Sequence, residues 1–404
     1  MRVVSGFRPS HLVAAAVVAA VTAAGAPQAA PAREPASKAA AILTWSESRR
    51  EQYIAALDSF FLTRTVKAGG RVRVLDRGCA LAAFEPGGPR ARDVDRFVAD
   101  QRVRGILVLH DGRIRLERYA APHGPARRWN SFSVAKSVTS TLVGAAMKDG
   151  AIRSLDDPVT RYIRALRGSA YDDVTVRQLL TMTSGVRWNE DYTDVDSDVA
   201  RMYAQPPDPG LDMTVSYVRK LPREAPPGTK WVYKTSETNL VGVLVAEATG
   251  KRLADYLSEK IWRPSGMERD AAWMIDDVGH EQGGCCLGMT LRDYARFGQF
   301  VLDGARVNGT PIVAGGWLAE ATRTQVSTGA GAGSGYGYQW WTRDDGTFEG
   351  RGIYGQTLHL DPARRLVIVI HSATAQPADP LAGEARQAFI AAVNAVLDAE
   401  RTRP

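Results

Sequence analysis

The sequence predicts a mixed α/β (α+β) domain whose sheet is antiparallel and assembled from segments far apart in the chain. Three observations carry this. Strand patterns cluster near residues 105–119 and again after Gly335, while helical periodicity dominates between them. The first cluster is a hairpin, because Gly105–Tyr119 alternates about an Asp111-Gly112 turn. Hairpins, rather than strand–helix–strand crossovers, imply antiparallel pairing. Helices then flank a sheet built from N- and C-terminal segments, with a mostly helical region, about 140–300, inserted.

Taken in order, Arg2 and Arg8 precede an apolar run from Leu12 to Ala26 that ends in Ala24-Gly25-Ala26. A positive start, a short apolar stretch and small residues at its end read as a signal peptide over 1–26, hence export to the periplasm or medium. Residues 27–40, rich in Ala and Pro, read as a linker, and 41–404 as the folded domain. Ser46–Thr65 has helical spacing, with Tyr53, Leu57 and Phe61 on one face. Ser133–Lys148 is a strong helix closed by Gly150. Strands are expected at Tyr336–Thr342, Ile353–Leu360 and Leu366–Ser372, with a turn at Asp361-Pro362, before a closing helix from Leu381 to Glu400.

Composition narrows the function classes. Apolar residues make up 45% of 404, enough for a large core. The formal charge of +7 comes from scattered arginines without a basic stripe and interleaved aromatics, so nucleic acid is not an expected partner. The run 12–26 is too short and alanine-rich for a membrane span, so no membrane anchor is expected after signal removal. Only Cys79, Cys285 and Cys286 are present. At least one is unpaired; Cys79 with either neighbour is possible, a bridge between the adjacent pair would be strained, and a buried free thiol is the expectation. Histidines are scattered and His280-Glu281 lacks a second histidine, so neither metal nor cofactor is expected. A Gly-x-Ser-x-Gly elbow is missing, which argues against a Ser-His-Asp hydrolase.

The chemistry-bearing pattern is Ser133-Val-Ala-Lys136, which opens a helix after a polar Arg-Arg-Trp-Asn approach. Ser133 then sits at the positive end of the helix dipole, where main-chain N–H groups can hold an oxyanion. Lys136, three residues on, returns to the same face, and a desolvated lysine becomes a base at neutral pH. Pro226–Gly242 places Tyr233 between a Pro-Gly turn and an apolar helix, and Gly352-Ile353-Tyr354-Gly355-Gln356 opens a strand to close backbone approach. Singly, each has a plain structural reading: an N-cap serine with a snorkelling lysine, a packing tyrosine, a glycine-rich strand entry.

Together, and in this order, Ser133–Lys136, Thr175–Gly185, Tyr233 before Leu240-Val-Gly242, and Gly352–Gln356 resemble the β-lactamase-related serine hydrolases. That family includes class C β-lactamases, D-alanyl-D-alanine carboxypeptidases and esterases. Leu291–Gly298 and Tyr338-Gln-Trp-Trp341 resemble its 6-aminohexanoate-dimer hydrolase and esterase branch. The resemblance, over roughly 41–400, implies a β-lactamase/transpeptidase-like fold and hydrolysis through an acyl-enzyme on Ser133. It implies Lys136 and Tyr233 as general base and acid, backbone N–H groups of Ser133 and Ile353 as oxyanion hole, and Trp188, Glu190 and Tyr192 at the pocket mouth. Two departures bear on substrate. Thr235 stands where the family's β-lactamases carry asparagine, and Gly350-Arg351-Gly352 where they carry Lys-Thr-Gly. Small esters or linear amides are therefore expected substrates. A D-amino-acid peptidase, a weak β-lactamase, and a non-catalytic protein binding penicillins or cell-wall peptides remain alternatives.

Overall fold

The computed structural model describes residues 33–85, 87–329 and 333–401. The expected signal peptide, 1–26, and the linker as far as residue 32 lie outside them. In chain order the strands are β1 (Thr63–Val66), β2 (Val103–His110), β3 (Arg113–Tyr119), β4 (Arg128–Asn130), β5 (Ala271–Met274), β6 (Leu287–Thr290), β7 (Arg306–Val307) and β8 (Thr310–Pro311). They continue as β9 (Val326–Ser327), β10 (Ser334–Tyr336), β11 (Trp341–Arg343), β12 (Phe348–Gly352), β13 (Gln356–Asp361) and β14 (Leu366–Ser372). The helices used below are α1 (Ala91–Asp100), α2 (Ala135–Lys148), α3 (Thr235–Thr249), α4 (Leu291–Leu302) and α5 (Pro380–Arg401).

The main sheet has eight strands in the order β3-β2-β14-β13-β12-β11-β10-β9, with antiparallel neighbours. Its strands β2 and β14 carry near-continuous apolar runs, Ile106–Leu109 and Leu366–Ile370, because both of their faces are covered. Ile106, Val108, Ile368 and Ile370 meet Val94 and Phe97 of α1 and Phe389 and Val393 of α5. The alternate residues Leu107, Leu109, Val367 and Val369 point into the larger core, which includes Phe297 of α4 and much of α2 and α3. Asp111 and Gly112, at φ 50° and 73°, make the expected hairpin turn.

Four expectations need correction. A second sheet, β1-β5-β6-β4, crosses the region read as helical and brings residues near 65, 130, 273 and 288 together. The helix expected over 46–65 breaks at Ala56 (φ −150°) and ends in β1, although Tyr53, Leu57 and Phe61 are all buried as their spacing implied. The end of the linker is not a tether. A 3-10 helix at Ala36–Thr44 buries Ala36, Ala39 and Ile42, and backbone bonds tie Glu34 to Phe60 and Ala36 to Ile275. Finally, Cys285 and Cys286 are bridged to each other, and Cys79 is free and exposed. Cys286, at φ 68°, completes the turn after Gly283-Gly284 that brings the adjacent side chains together.

Candidate active site

Ser133 stands where the second sheet, a 3-10 turn and a helix meet. β4 ends at Asn130, and the turn Phe132–Val134 runs directly into α2. Phe132 adopts φ 42°, a conformation that a bulky residue keeps only when its surroundings enforce it. Asn130 Oδ1 accepts from the Phe132 N–H at 3.1 Å, and Ser131 Oγ accepts from the Leu287 N–H of β6 at 3.1 Å. From the other side, β12 comes so near that a Cβ on Gly352 would lie 2.5 Å from the Ser131 carbonyl oxygen, so glycine is required. Ser133 is left 7% exposed, bordering the same cavities as Ile353.

Lys136 lies on the first turn of α2 and is 1% exposed. Polar residues of α2 anchor it to flanking loops: Ser137 and Ser140 donate to the Gln339 and Tyr338 carbonyls, and Thr139 to that of Gly283. Lys136 Nζ donates to Thr235 Oγ1 at 3.0 Å and to the Gly284 carbonyl at 2.8 Å. Both partners are neutral, so burial dominates and lowers its pKa to about 7, with Glu190 opposing. Gly284 can approach because it has no side chain; a Cβ there would sit 2.7 Å from the Thr235 carbonyl and 3.1 Å from Lys136 Nζ. Asn239 Oδ1, one turn beyond Thr235 on α3, accepts the Gly284 N–H at 2.7 Å and fixes that carbonyl's aim.

Tyr233 precedes α3. Its half-buried ring stacks on Trp341 with centroids 5.5 Å apart, and Lys136 Nζ lies 5.2 Å from its centre. Burial pushes the phenol well above its ordinary value; a hydrogen bond with Ser133 and the charge of Arg351 oppose that, while Glu190 adds to it. The Ser133 hydroxyl and the Lys136 amine thus both lie beside the Tyr233 phenol. An amine that is unprotonated near neutrality can take a proton there, and a neutral phenol can hand one on.

The three residues expected at the pocket mouth are placed unequally. Tyr192 lines the cavities beside Ser133. Trp188 is buried against Tyr217, and its indole N–H bonds Glu190. The Glu190 carboxylate also accepts from Tyr192 OH at 2.6 Å, from the Thr235 N–H at 3.0 Å and from the Thr235 hydroxyl, so it is occupied within the protein. Sequence reasoning missed Gly284, gave Asn239 and Trp341 no role at the site although both lie in quoted motifs, and treated Thr235 only as a missing asparagine. The signal for Thr235 was its place one turn before Asn239 at the start of an apolar helix.

Two cavities meet at Ser133, Tyr192 and Ile353. One is walled by Ile42, Tyr53, Phe132, Met274 and the Cys285–Cys286 pair. The other is bordered by Tyr233, Trp341, Arg351, Asp379 and Arg386. Arg351 is not a free cation, because its Nε donates to the buried Glu349 at 2.6 Å. Elsewhere, Asp212, Asp276 and His280 gather at metal-capable spacing that the sequence did not suggest. Asp276, pushed up to about 6 by burial and Asp212, already accepts from the Val278, His280 and Met213 N–H groups, and Asp212 from Val215 N–H and His280. The trio needs no ion to satisfy it.

Comparison with known proteins identifies the family of this chain. The beta-lactamase family profile matches residues 90–393. The 6-aminohexanoate-dimer hydrolase of Paenarthrobacter ureafaciens is 30% identical over 308 residues, which is 71% of this chain and 77% of the relative. A Bacillus anthracis structure provisionally assigned as a 6-aminohexanoate-dimer hydrolase superposes with a TM-score of 0.77 at 25% identity, covering 88% of this chain and 95% of that one. A class C beta-lactamase shares the fold, with a TM-score of 0.55 at 16% identity over 72% of this chain and 93% of its own.

Proposed function

The chain belongs to the beta-lactamase family and is a hydrolase of that fold, and from that premise we propose that it is an exported serine hydrolase of small carboxylic esters and linear amides. The observation that carries the reading is the setting of Lys136, a buried amine whose two hydrogen-bond partners are neutral acceptors. An unprotonated amine has two hydrogens and one lone pair, and the two hydrogens are taken by Thr235 and Gly284. The lone pair is left for a proton arriving from Ser133, directly or through Tyr233.

In the proposed cycle, Ser133 Oγ attacks the carbonyl carbon as Lys136 and Tyr233 take its proton. The backbone N–H groups of Ser133 and Ile353 hold the oxyanion, and losing one such donor typically costs about 3–4 kcal/mol. Collapse expels the alcohol or amine, which takes a proton from Tyr233 as Lys136 returns one to the phenol and becomes a free amine again. Water then repeats the sequence on the acyl-enzyme and frees the acid. The apolar cavity beside Ser133 suits a short aliphatic acyl chain. The pairing of Arg351 with Glu349 weighs against strong recognition of a β-lactam carboxylate. Export rests on the residue pattern of 1–26.

Hydrolysis of p-nitrophenyl butyrate by the protein, beside its Ser133→Ala variant, tests the reading. Turnover by the first and none by the second is expected. If both are folded and inactive while a penicillin leaves a stable adduct on Ser133, the binding-protein alternative holds instead. Faster release of D-alanine from a peptide ending in two D-alanines than of nitrophenol would make it a peptidase. Cleavage of 6-aminohexanoate dimer would extend the substrate range to that linear amide.

A further inference from the structure

Glu190 lies beside the site without touching the proposed nucleophile, and its carboxylate is fully engaged. Four donors converge on it: the Trp188 indole N–H, the Tyr192 hydroxyl, and both the N–H and the hydroxyl of Thr235. A hydroxyl has a single hydrogen. With that hydrogen given to Glu190, Thr235 Oγ1 can meet Lys136 only as an acceptor, which is the direction of the 3.0 Å contact. The chain Lys136 N–H to Thr235 O–H to Glu190 therefore has one polarity. The Gly284 carbonyl, an obligate acceptor, imposes the same polarity from the other side.

We infer that Glu190 is a positioning residue rather than a substrate contact: acting through the Thr235 hydroxyl, it fixes which way the Lys136 amine points and keeps its lone pair turned towards Ser133 and Tyr233. The inference rests on the proposed hydrolytic reading of the same site. It also accounts for threonine at position 235. An amide side chain there would present an N–H as well as an oxygen, and its orientation would not be forced by one acceptor. Thr235, 4% exposed, needs a carboxylate behind it to be oriented, and the loop after Gly185 supplies one.

The ionisable groups facing this chain come from several elements. Tyr192 is on the loop of Glu190, Tyr203 follows the short helix Asp198–Met202, Tyr233 and Lys234 directly precede α3 with Glu237 in its first turn, Tyr336 is in β10 and Arg351 in β12. Burial raises all four of these tyrosines, so they stay neutral across the working range. Glu190 acts on Lys136 in two separable ways. Its charge favours the ammonium, and its hydrogen bond orients the amine.

The test compares Glu190→Gln, Thr235→Val and Thr235→Ser in the intact protein. The readouts are kcat and KM for p-nitrophenyl butyrate from pH 5 to 9, and the rate at which a fluorophosphonate labels Ser133. Glu190→Gln is expected to lower the plateau kcat about tenfold or more with KM nearly unchanged, and to move the acid limb to lower pH. Thr235→Val should lose a comparable factor, and Thr235→Ser should recover most of it, because only the hydroxyl matters. A Glu190→Gln enzyme with unchanged kcat and acid limb but raised KM would overturn the inference in favour of substrate contact. So would Thr235→Ser as impaired as Thr235→Val. The threonine pair decides the matter even if Glu190→Gln does not fold. Failure of the hydrolytic reading itself is distinct: the unmodified protein would then neither turn over the ester nor be labelled at Ser133.

Discussion

Lys136, over the Tyr233 ring, and Lys234, next to Tyr233 in sequence, are each 1% exposed, yet their surroundings differ in one respect. Lys136 meets only a hydroxyl and a carbonyl, whereas Lys234 bonds the Glu237 carboxylate at 3.1 Å and Ser184 Oγ at 3.0 Å. Ser184 in turn bonds Glu237, which closes a small polar cluster behind the tyrosine. Burial pushes Glu237 above its ordinary value while Lys234 and Ser184 pull it back. Equal burial thus meets different partners. With neutral ones it lowers the pKa of Lys136, and with a carboxylate it encloses an ion pair whose loss leaves a charge or an orphaned donor.

Replacing each lysine by methionine breaks the comparison most sharply. Lys136→Met should lower ester turnover by ~10³-fold or more while the denaturant midpoint holds or rises, because a costly buried amine is removed. Lys234→Met should instead destabilise by about 3–5 kcal/mol in urea unfolding, since Glu237 is left buried without its cation. Equal stability losses in the two variants would erase the distinction drawn here. Adding Glu237→Leu to Lys234→Met should return part of the lost stability, as shown by non-additive unfolding free energies.

A third buried pair sharpens the point. His371 Nδ1 lies 3.3 Å from His123 Nε2 among Trp129 and Tyr294, and burial holds His123 near 4 and His371 well below its ordinary value. Unfolded histidine takes up its proton near 6.5, whereas folded His123 does so only near 4, so unfolding binds protons in that window. Stability should therefore fall as pH drops from 6.5 towards 4, and His371→Phe should flatten that slope in acid-unfolding curves. An unchanged slope would mean that other groups set acid stability. The smallest expected effect is at Ile353. Ile353→Ala should change kcat less than about threefold, because the proposed role uses only its backbone N–H; a collapse of activity with the fold intact would give its side chain a role instead.

Much of this was legible in the sequence where local rules suffice. The 105–119 hairpin follows from alternation and an Asp-Gly turn, and the Ser133–Lys136 helix start from apolar periodicity. The place of Tyr233 just before α3 was legible from a Pro-Gly turn followed by an apolar helix. The second sheet was not, because β4, β5 and β6 are three or four residues long and each pairs with a partner distant in sequence. The Cys285–Cys286 bridge was judged against on strain, and nothing local announced the positive φ at Cys286 that accompanies it. The link from Glu190 to Thr235 spans 45 residues and exists only once the loop after Gly185 folds back on α3.

The central claim is that burial among neutral partners makes Lys136 the base, and the pH dependence of Ser133 labelling by a fluorophosphonate tests it most directly. The account predicts a rate that rises in a single step centred near 7, and a step that vanishes in Lys136→Met. A rise centred near 10.5, the ordinary value for lysine, or a step that survives in Lys136→Met, would contradict it.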